Sequence, residues 1–344
     1  MPVYVSTAAR VHSLHAVTFR LADPDGVYAA VRLCSDLPLS EPERTFTRRG
    51  DDWVLRLAPP PLARLEYELE LVHRDGGTEL VCEPGNPHRA PGAFGEKSVA
   101  LLPGYEPPLW LDLPGVPGEI TELAPRGRGL RANVHVRVWS PGDGELPLLV
   151  AHDGPELDEL AGLTRYAAAL IAAGELPPHR VALVAPGHRD EWYSGSALYT
   201  RALINDVLPV LPQAPSVVGM GASLGALAAL HVHARAPFAG LFLQSGSFFV
   251  PRHDAHESRF PRYGRIVRVV RGILRTTEHH DPVPVALTCG VAEENLANNR
   301  MMTAALRAQR YEAVLDEVPD MHNYTGWRDA LHPHLTNLLA RVWS

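Results

Sequence analysis

Pro215–Leu230 reads PSVVGMGASLGALAAL. A short apolar run (Val217, Val218) leads into Gly221-Ala222-Ser223-Leu224-Gly225, and an Ala/Leu run follows. This is the order of a buried strand, a sharp turn with a serine at its tip, and a helix leading away. Such a turn holds the serine in a strained backbone region, so the residues two before and two after it must be small. Gly221 and Gly225 satisfy that demand, and Gly219 and Ala222 keep the crowding low. The helix beginning behind Ser223 offers unpaired backbone N–H groups to a developing negative charge.

On either side of this stretch, from about residue 118 onward, strand and helix patterns alternate. Asn133–Trp139, Pro147–Ala151, Arg180–Ala185, Gly240–Gln244, Val283–Cys289 and Glu312–Val318 read as strands. Leu157–Ala173, Leu198–Leu211, Asn298–Gln309 and Trp327–Val342 read as helices. The alternation predicts a parallel sheet covered by helices on both faces. Residues 1 to about 110 differ. Val17–Arg20, Tyr28–Leu33, Trp53–Leu57 and Leu65–His73 are short β-rich runs separated by turns such as Asp23-Pro24-Asp25-Gly26. They predict a small sandwich. Proline-rich breaks at 83–87 and 103–108 mark the exit, so two domains are expected, 1–112 and 113–344.

A formal charge of −7 gives no reason to expect a nucleic-acid partner. The three cysteines, Cys34, Cys82 and Cys289, are too far apart for a zinc cluster and odd in number for a disulfide framework. No stretch is apolar over the length of a membrane span, and the first seventeen residues lack the apolar core of a signal peptide. A cytoplasmic enzyme with no membrane partner is the expectation.

A serine hydroxyl is a weak nucleophile and needs a histidine oriented by a carboxylate. In the α/β-hydrolase order the acid follows the serine and the histidine comes last. His231 and His233 fall within the helix behind Ser223, and His332 and His334 in the terminal helix. His322 stands in a loop, Pro319-Asp320-Met321-His322-Asn323-Tyr324, between the last strand and the last helix, where a base belongs. For the acid, Gly290–Asn295 supplies Glu293, with Glu294 as the alternative and Asp320 as an outsider. The oxyanion hole needs the N–H of Leu224 and one from Ala151-His152-Asp153-Gly154-Pro155-Glu156. Pro155 has no N–H, leaving Gly154 or Glu156.

With these residues in view the chain resembles the enterochelin (ferric siderophore) esterase family, within the esterase D group of α/β-hydrolases. The likeness runs along nearly the whole chain, through VTFRLADPDG, DDWVLRL, VHVRVWSP, LLVAHDGPE, HRDEWYSG, LQSGSFF, CGVAEENLANNRMM and MHNYTGWRDAL. It implies an N-terminal Ig-like β-sandwich followed by an α/β-hydrolase catalytic domain. It further implies Ser223 as nucleophile, His322 as base and the acid at Glu293 or Glu294. Arg189, in a segment similar to the family's Arg-x-x-Glu, would border the substrate pocket; the plain alternative is an ion pair with Glu191. The implied reaction is ester hydrolysis through an acyl-serine, with no metal or organic cofactor. The sandwich would shape one wall of the cleft or mediate association, and a homo-oligomer stays open.

The stretch between Ser247 and Asp281 carries Arg252, Arg259, Arg262, Arg265, Arg268, Arg271 and Arg275 against only Asp254, Glu257 and Glu278. With Ile266, Val270 and Ile273 on a second face, it predicts an amphipathic helix with a basic stripe. Facing the site, the stripe would favour an anionic small-molecule ester such as a ferric catecholate siderophore; facing water, it has no ligand. A feruloyl or acetyl ester of a sugar, acyl transfer, and a non-catalytic binding protein keeping the fold are the alternatives to siderophore ester hydrolysis.

Overall fold

The computed structural model describes residues 10–13, 16–236, 238–277 and 282–344. Glu278 and Asp281, counted above in the arginine-rich stretch, lie outside the described residues. The chain divides into two compact units, one running to Glu106 and including Pro319–Thr325, the other formed by Pro107–Val318 and Gly326–Ser344.

The first unit is built of antiparallel strands. They are β1 (Arg10–Ser13), β2 (Ala16–Ala22), β3 (Tyr28–Cys34), β4 (Thr47–Arg49), β5 (Asp52–Leu57), β6 (Arg64–His73), β7 (Thr78–Val81), β8 (Arg89–Ala90) and β9 (Lys97–Leu101), with a single turn of helix, α1 (Glu41–Arg44). One sheet has the order β1-β2-β5-β4, the other β3-β6-β9-β8 with β7 against β6. Alternation along β2 buries Val17, Phe19 and Leu21. Phe19 meets Tyr67 of the other sheet edge-to-face at 5.0 Å, which puts the core of this unit between its sheets.

The second unit holds an eight-stranded sheet. Its strands are β10 (Glu119–Leu123), β13 (Val136–Ser140), β14 (Leu148–His152), β15 (Arg180–Val184), β16 (Val217–Ala222), β17 (Gly240–Gln244), β18 (Pro284–Gly290) and β19 (Glu312–Val318). β11 (Arg126–Gly127) and β12 (Ala132–Asn133) form a separate small hairpin. The order is β10-β13-β15-β14-β16-β17-β18-β19. β15 to β19 run parallel, but β13 is antiparallel to β15, and β10 to β13. The sheet is therefore mixed, where alternation alone predicted a parallel one. β10 escaped notice because Glu119, Thr121 and Glu122 give it the polar, exposed composition of an edge strand.

The helices are α2 (Gly154–Ala161), α3 (Leu163–Ala172), α4 (Arg189–Trp192), α5 (Ala197–Ala202), α6 (Leu224–His233), α7 (Tyr263–Arg275), α8 (Leu296–Ala308), α9 (Tyr324–Asp329) and α10 (Thr336–Val342). Three expected helices are interrupted. Gly162, at φ 67°, separates α2 from α3. Past α5 the chain continues through a widened turn at Leu203–Val207 and a tighter one at Leu208–Val210, where Pro209 lacks a donor. Between α9 and α10, His332 is extended (φ −113°, ψ 126°) because Pro333 follows it. No helix among the described residues is long and apolar enough to cross a membrane.

Candidate active site

β16 is buried from Val218 to Ala222, and α6 is buried along its whole length, so Ser223 is delivered between a buried strand and a buried helix. Its backbone is at φ 56°, ψ −122°, and its N–H donates to Gln244 O at 2.8 Å. A Cβ at Gly221 would stand 2.3 Å from the carbonyl carbon of Gly225; the two glycines let the chain fold this tightly. Leu224 opens α6, where N–H groups have no acceptor within the helix. The Ser223 hydroxyl lies 3.1 Å from the hydroxyl of Ser247.

The neighbouring strand, β14, ends in a similar way. Asp153 is left-handed (φ 54°, ψ 32°) and buried, and Gly154 opens α2. A Cβ on Gly154 would fall 2.3 Å from Leu183 Cα, so only glycine lets the loop lie this close to β15. The Asp153 carboxylate takes two bonds from Arg189, Nε to Oδ1 at 2.9 Å and Nη2 to Oδ2 at 2.8 Å. Burial pushes the Asp153 carboxyl up, and the Arg189 guanidinium opposes it. His152 is wholly buried and pushed by desolvation down to about 4; its Nδ1–H donates to Met220 O. Arg189 is thus bound to Asp153, whereas Glu191, its expected partner in the plain alternative, pairs with Arg262 and Arg265.

The two candidate glutamates part company. Glu293 is buried, and its Oε1 accepts from Gly290 N and from Ser245 Oγ, both at 2.7 Å. Glu294 is exposed and lies 2.9 Å from His256 Nε2. Asp320 belongs to the first unit, where its Oδ2 is 2.8 Å from the buried Arg64. Its Oδ1 accepts from Met321 N and Asn323 Nδ2. Arg64 also donates to Asn323 Oδ1, and Ala63 N to Pro319 O. His322, half-buried, stands in the middle of this anchored loop.

His231 and His233 are structural. The first pairs with Thr200 Oγ1, and the second accepts from Phe238 N and meets Tyr311 Oη. In α7, Ile266, Val267 and Val270 are buried, and Arg268, Arg271 and Arg275 are exposed. Arg262 and Arg265 are engaged by Glu191, so the basic stripe is partly neutralised. A groove of about 800 Å³ along β10 and β13, lined by Gly118, Thr121, Val138, Arg180 and Pro212, holds none of the residues above. Ser245, Ser247, Asp153 and Arg64 received no role from sequence. For the two serines the one signal was their place around Gly246, directly after a buried strand.

No family model matches the chain, and no curated protein matches it. Solved structures do. The enterobactin esterase of Shigella flexneri, crystallised in the presence of enterobactin, is 20% identical with a TM-score of 0.76, over 97% of this chain and 95% of that one. The ferric enterobactin esterase of Salmonella typhimurium is likewise 20% identical with a TM-score of 0.76, over 96% and 95%. A ferulic acid esterase matches 66% of this chain and 99% of its own at 16% identity and a TM-score of 0.54. At such identities the likeness is one of fold, and that fold is the enterobactin esterases' along nearly the whole chain.

Proposed function

We propose that the protein is a serine carboxylic ester hydrolase of the enterochelin esterase type. Ser223 attacks the ester carbonyl, His322 takes its proton and returns it to the leaving alcohol, and Glu293 orients His322. The N–H groups of Leu224 and Gly154 hold the oxyanion. Water then cleaves the acyl-serine by the same proton transfers in reverse. One observation carries this reading: a serine held at φ 56° between a buried strand and a buried helix, with glycines two residues to either side. Holding a non-glycine residue there is costly, and such positions cluster where chemistry is done. Of the two glutamates, the burial of Glu293 and its donors from Gly290 and Ser245 support it over the exposed Glu294.

The proposed substrate is a catecholate siderophore ester of the enterobactin kind, supported by the shared fold over 97% of the chain. The first unit is read as an Ig-like sandwich, with the domain boundary near residue 112 and Arg189 bordering the substrate pocket through its hold on Asp153. The ferulic acid esterase likeness favours a second reading, an aryl ester of a sugar. A fluorophosphonate probe should label wild type and not Ser223→Ala, and His322→Ala should lower hydrolysis of p-nitrophenyl acetate by ~10³-fold or more. Turnover of enterobactin and of feruloyl esters side by side separates the two substrate readings. An unlabelled, inert wild type would refute both.

A further inference from the structure

β17 ends in a three-residue turn, Ser245-Gly246-Ser247, whose two serines reach different members of the proposed site. Ser247 Oγ is 3.1 Å from Ser223 Oγ, and Ser247 N donates to Ser223 O at 3.1 Å. Ser245 Oγ donates to Glu293 Oε1 at 2.7 Å and accepts from Trp327 Nε1 at 2.9 Å. A hydroxyl has one proton, so this indole N–H forces the Ser245 proton toward the carboxylate. The turn's backbone is fixed as fully. Ser245 N donates to Thr288 O, and Asn295 Nδ2 donates to Ser245 O. The Asn299 side chain takes Gly246 N at 3.0 Å and gives to Gly246 O at 3.1 Å. Ser245 is nonetheless left-handed, at φ 48°, and buried. Glycine would hold that backbone with less strain. The serine there holds its backbone against its own conformational preference and sets its hydroxyl on the proposed acid.

We propose that this turn is a positioning device. Ser247 fixes the rotamer of the Ser223 hydroxyl, and Ser245, backed by Trp327, fixes the carboxylate of Glu293. The inference rests on the esterase reading above and adds two residues to it. The variants Ser245→Gly, Ser245→Ala and Ser247→Ala test it against p-nitrophenyl acetate, with melting temperature and fluorophosphonate labelling measured alongside. Ser245→Gly relaxes the backbone while removing the hydroxyl. Both Ser245 variants take one hydrogen bond from Glu293 and one from Trp327. The expected result for Ser245→Gly is therefore a melting temperature above that of Ser245→Ala, with kcat down ~10-fold or more in both and KM within twofold. A purely structural serine would move stability and activity together. Ser247→Ala is expected to lower both kcat and the labelling rate of Ser223. In a Glu293→Gln background, Ser245→Ala should cost less than twofold, because its route of action is already gone. Ser245→Gly and Ser245→Ala with wild-type kcat in an active, labelled enzyme would overturn the inference and leave the esterase reading standing. Equal losses with and without Glu293 would overturn the Ser245–Glu293 link. An inert, unlabelled wild type would sink the reading and this inference together.

Discussion

The two units solve one backbone problem differently. Each must place residues at positive φ, where a side chain collides with its own backbone. In the first unit, among the described residues, every such position is a glycine: Gly26, Gly50, Gly76, Gly95 and Gly104. The second unit also uses glycines, but adds six residues with side chains. Three of these, Arg131, Arg262 and Arg310, are exposed. The other three are Asp153, Ser223 and Ser245, at φ 54°, 56° and 48°. They follow β14, β16 and β17, which are neighbours in the sheet. Where only a turn is needed, glycine makes it. These three side chains at positive φ share one edge of the sheet, and on the esterase reading it is their chemistry that offsets the strain.

The sharpest way to break this contrast is to give Ser223 the first unit's solution. Ser223→Gly removes the proposed nucleophile and the strain at once, so esterase activity should fall by ~10⁴-fold or more while the melting temperature stays level or rises. A large loss of stability would mean that the serine was holding the turn together, and the contrast would fail.

Asp153 offers the next largest effect. Its carboxylate is buried, and the two bonds from Arg189 oppose the burial. Arg189→Met should strand that charge and cost about 3 kcal/mol, read from denaturant unfolding. Adding Asp153→Gly to the same protein should recover most of the loss, since nothing buried is then left unpaired. A double variant as unstable as the single one would show that Arg189 acts by packing rather than through Asp153.

Much of this edge was legible in the sequence because the constraint on it is local. Gly221 and Gly225 announce a tight turn around Ser223 whatever surrounds it, and the order of apolar runs located β16 and α6 on either side. What stayed hidden depends on distant partners. Nothing near Arg189 says that its partner is thirty-six residues upstream and not Glu191 two residues away. Ser245 and Glu293 are brought together by the parallel register of β17 and β18, which no pattern within either strand encodes. The anchoring of the His322 loop by Arg64 spans the longest separation of all, from β6 to a segment after β19. β10 and the breaks at Gly162 and Pro333 failed for a simpler reason: edge strands look like loops, and a single glycine or proline is outvoted by an apolar run.

Buried titratable groups sharpen the comparison further. In the first unit, desolvation pushes Glu83 from 4.5 up to about 7, against hydrogen bonding from Tyr67. Its folded-state value is raised, so its contribution to stability is complete below about pH 4.5 and is lost as pH rises through about 7. In the second unit, burial pushes His152, His179 and His231 from 6.5 down to about 4. Their contribution is complete above about pH 6.5 and is lost as pH falls toward about 4. Mild acid should therefore strengthen the first unit and weaken the second. Hydrogen exchange on peptides from each unit between pH 5 and 7.5, corrected for intrinsic rates, reads this directly. Glu83→Gln should abolish the trend in the first unit alone. Parallel trends in both units would contradict the assignment.

The smallest effect tests the other half of the contrast, that glycines of the first unit serve the backbone alone. Gly50, at φ 63°, sits in the two-residue connection between β4 and β5, whose register pairs Arg49 with Asp52. Hairpins this short need positive φ at the first connecting residue. Gly76, at φ 93°, turns the chain between β6 and β7. A Cβ at either position would meet nothing within 4 Å, so alanine there would incur only the backbone penalty. Each substitution should destabilise by about 1 kcal/mol and leave kcat and KM for p-nitrophenyl acetate unchanged. Ser245→Gly is the mirror image, relaxing the backbone at the expense of activity. If Gly50→Ala instead lowered kcat while stability held, a first-unit turn would be serving the reaction, and the division between the units would have been drawn in the wrong place.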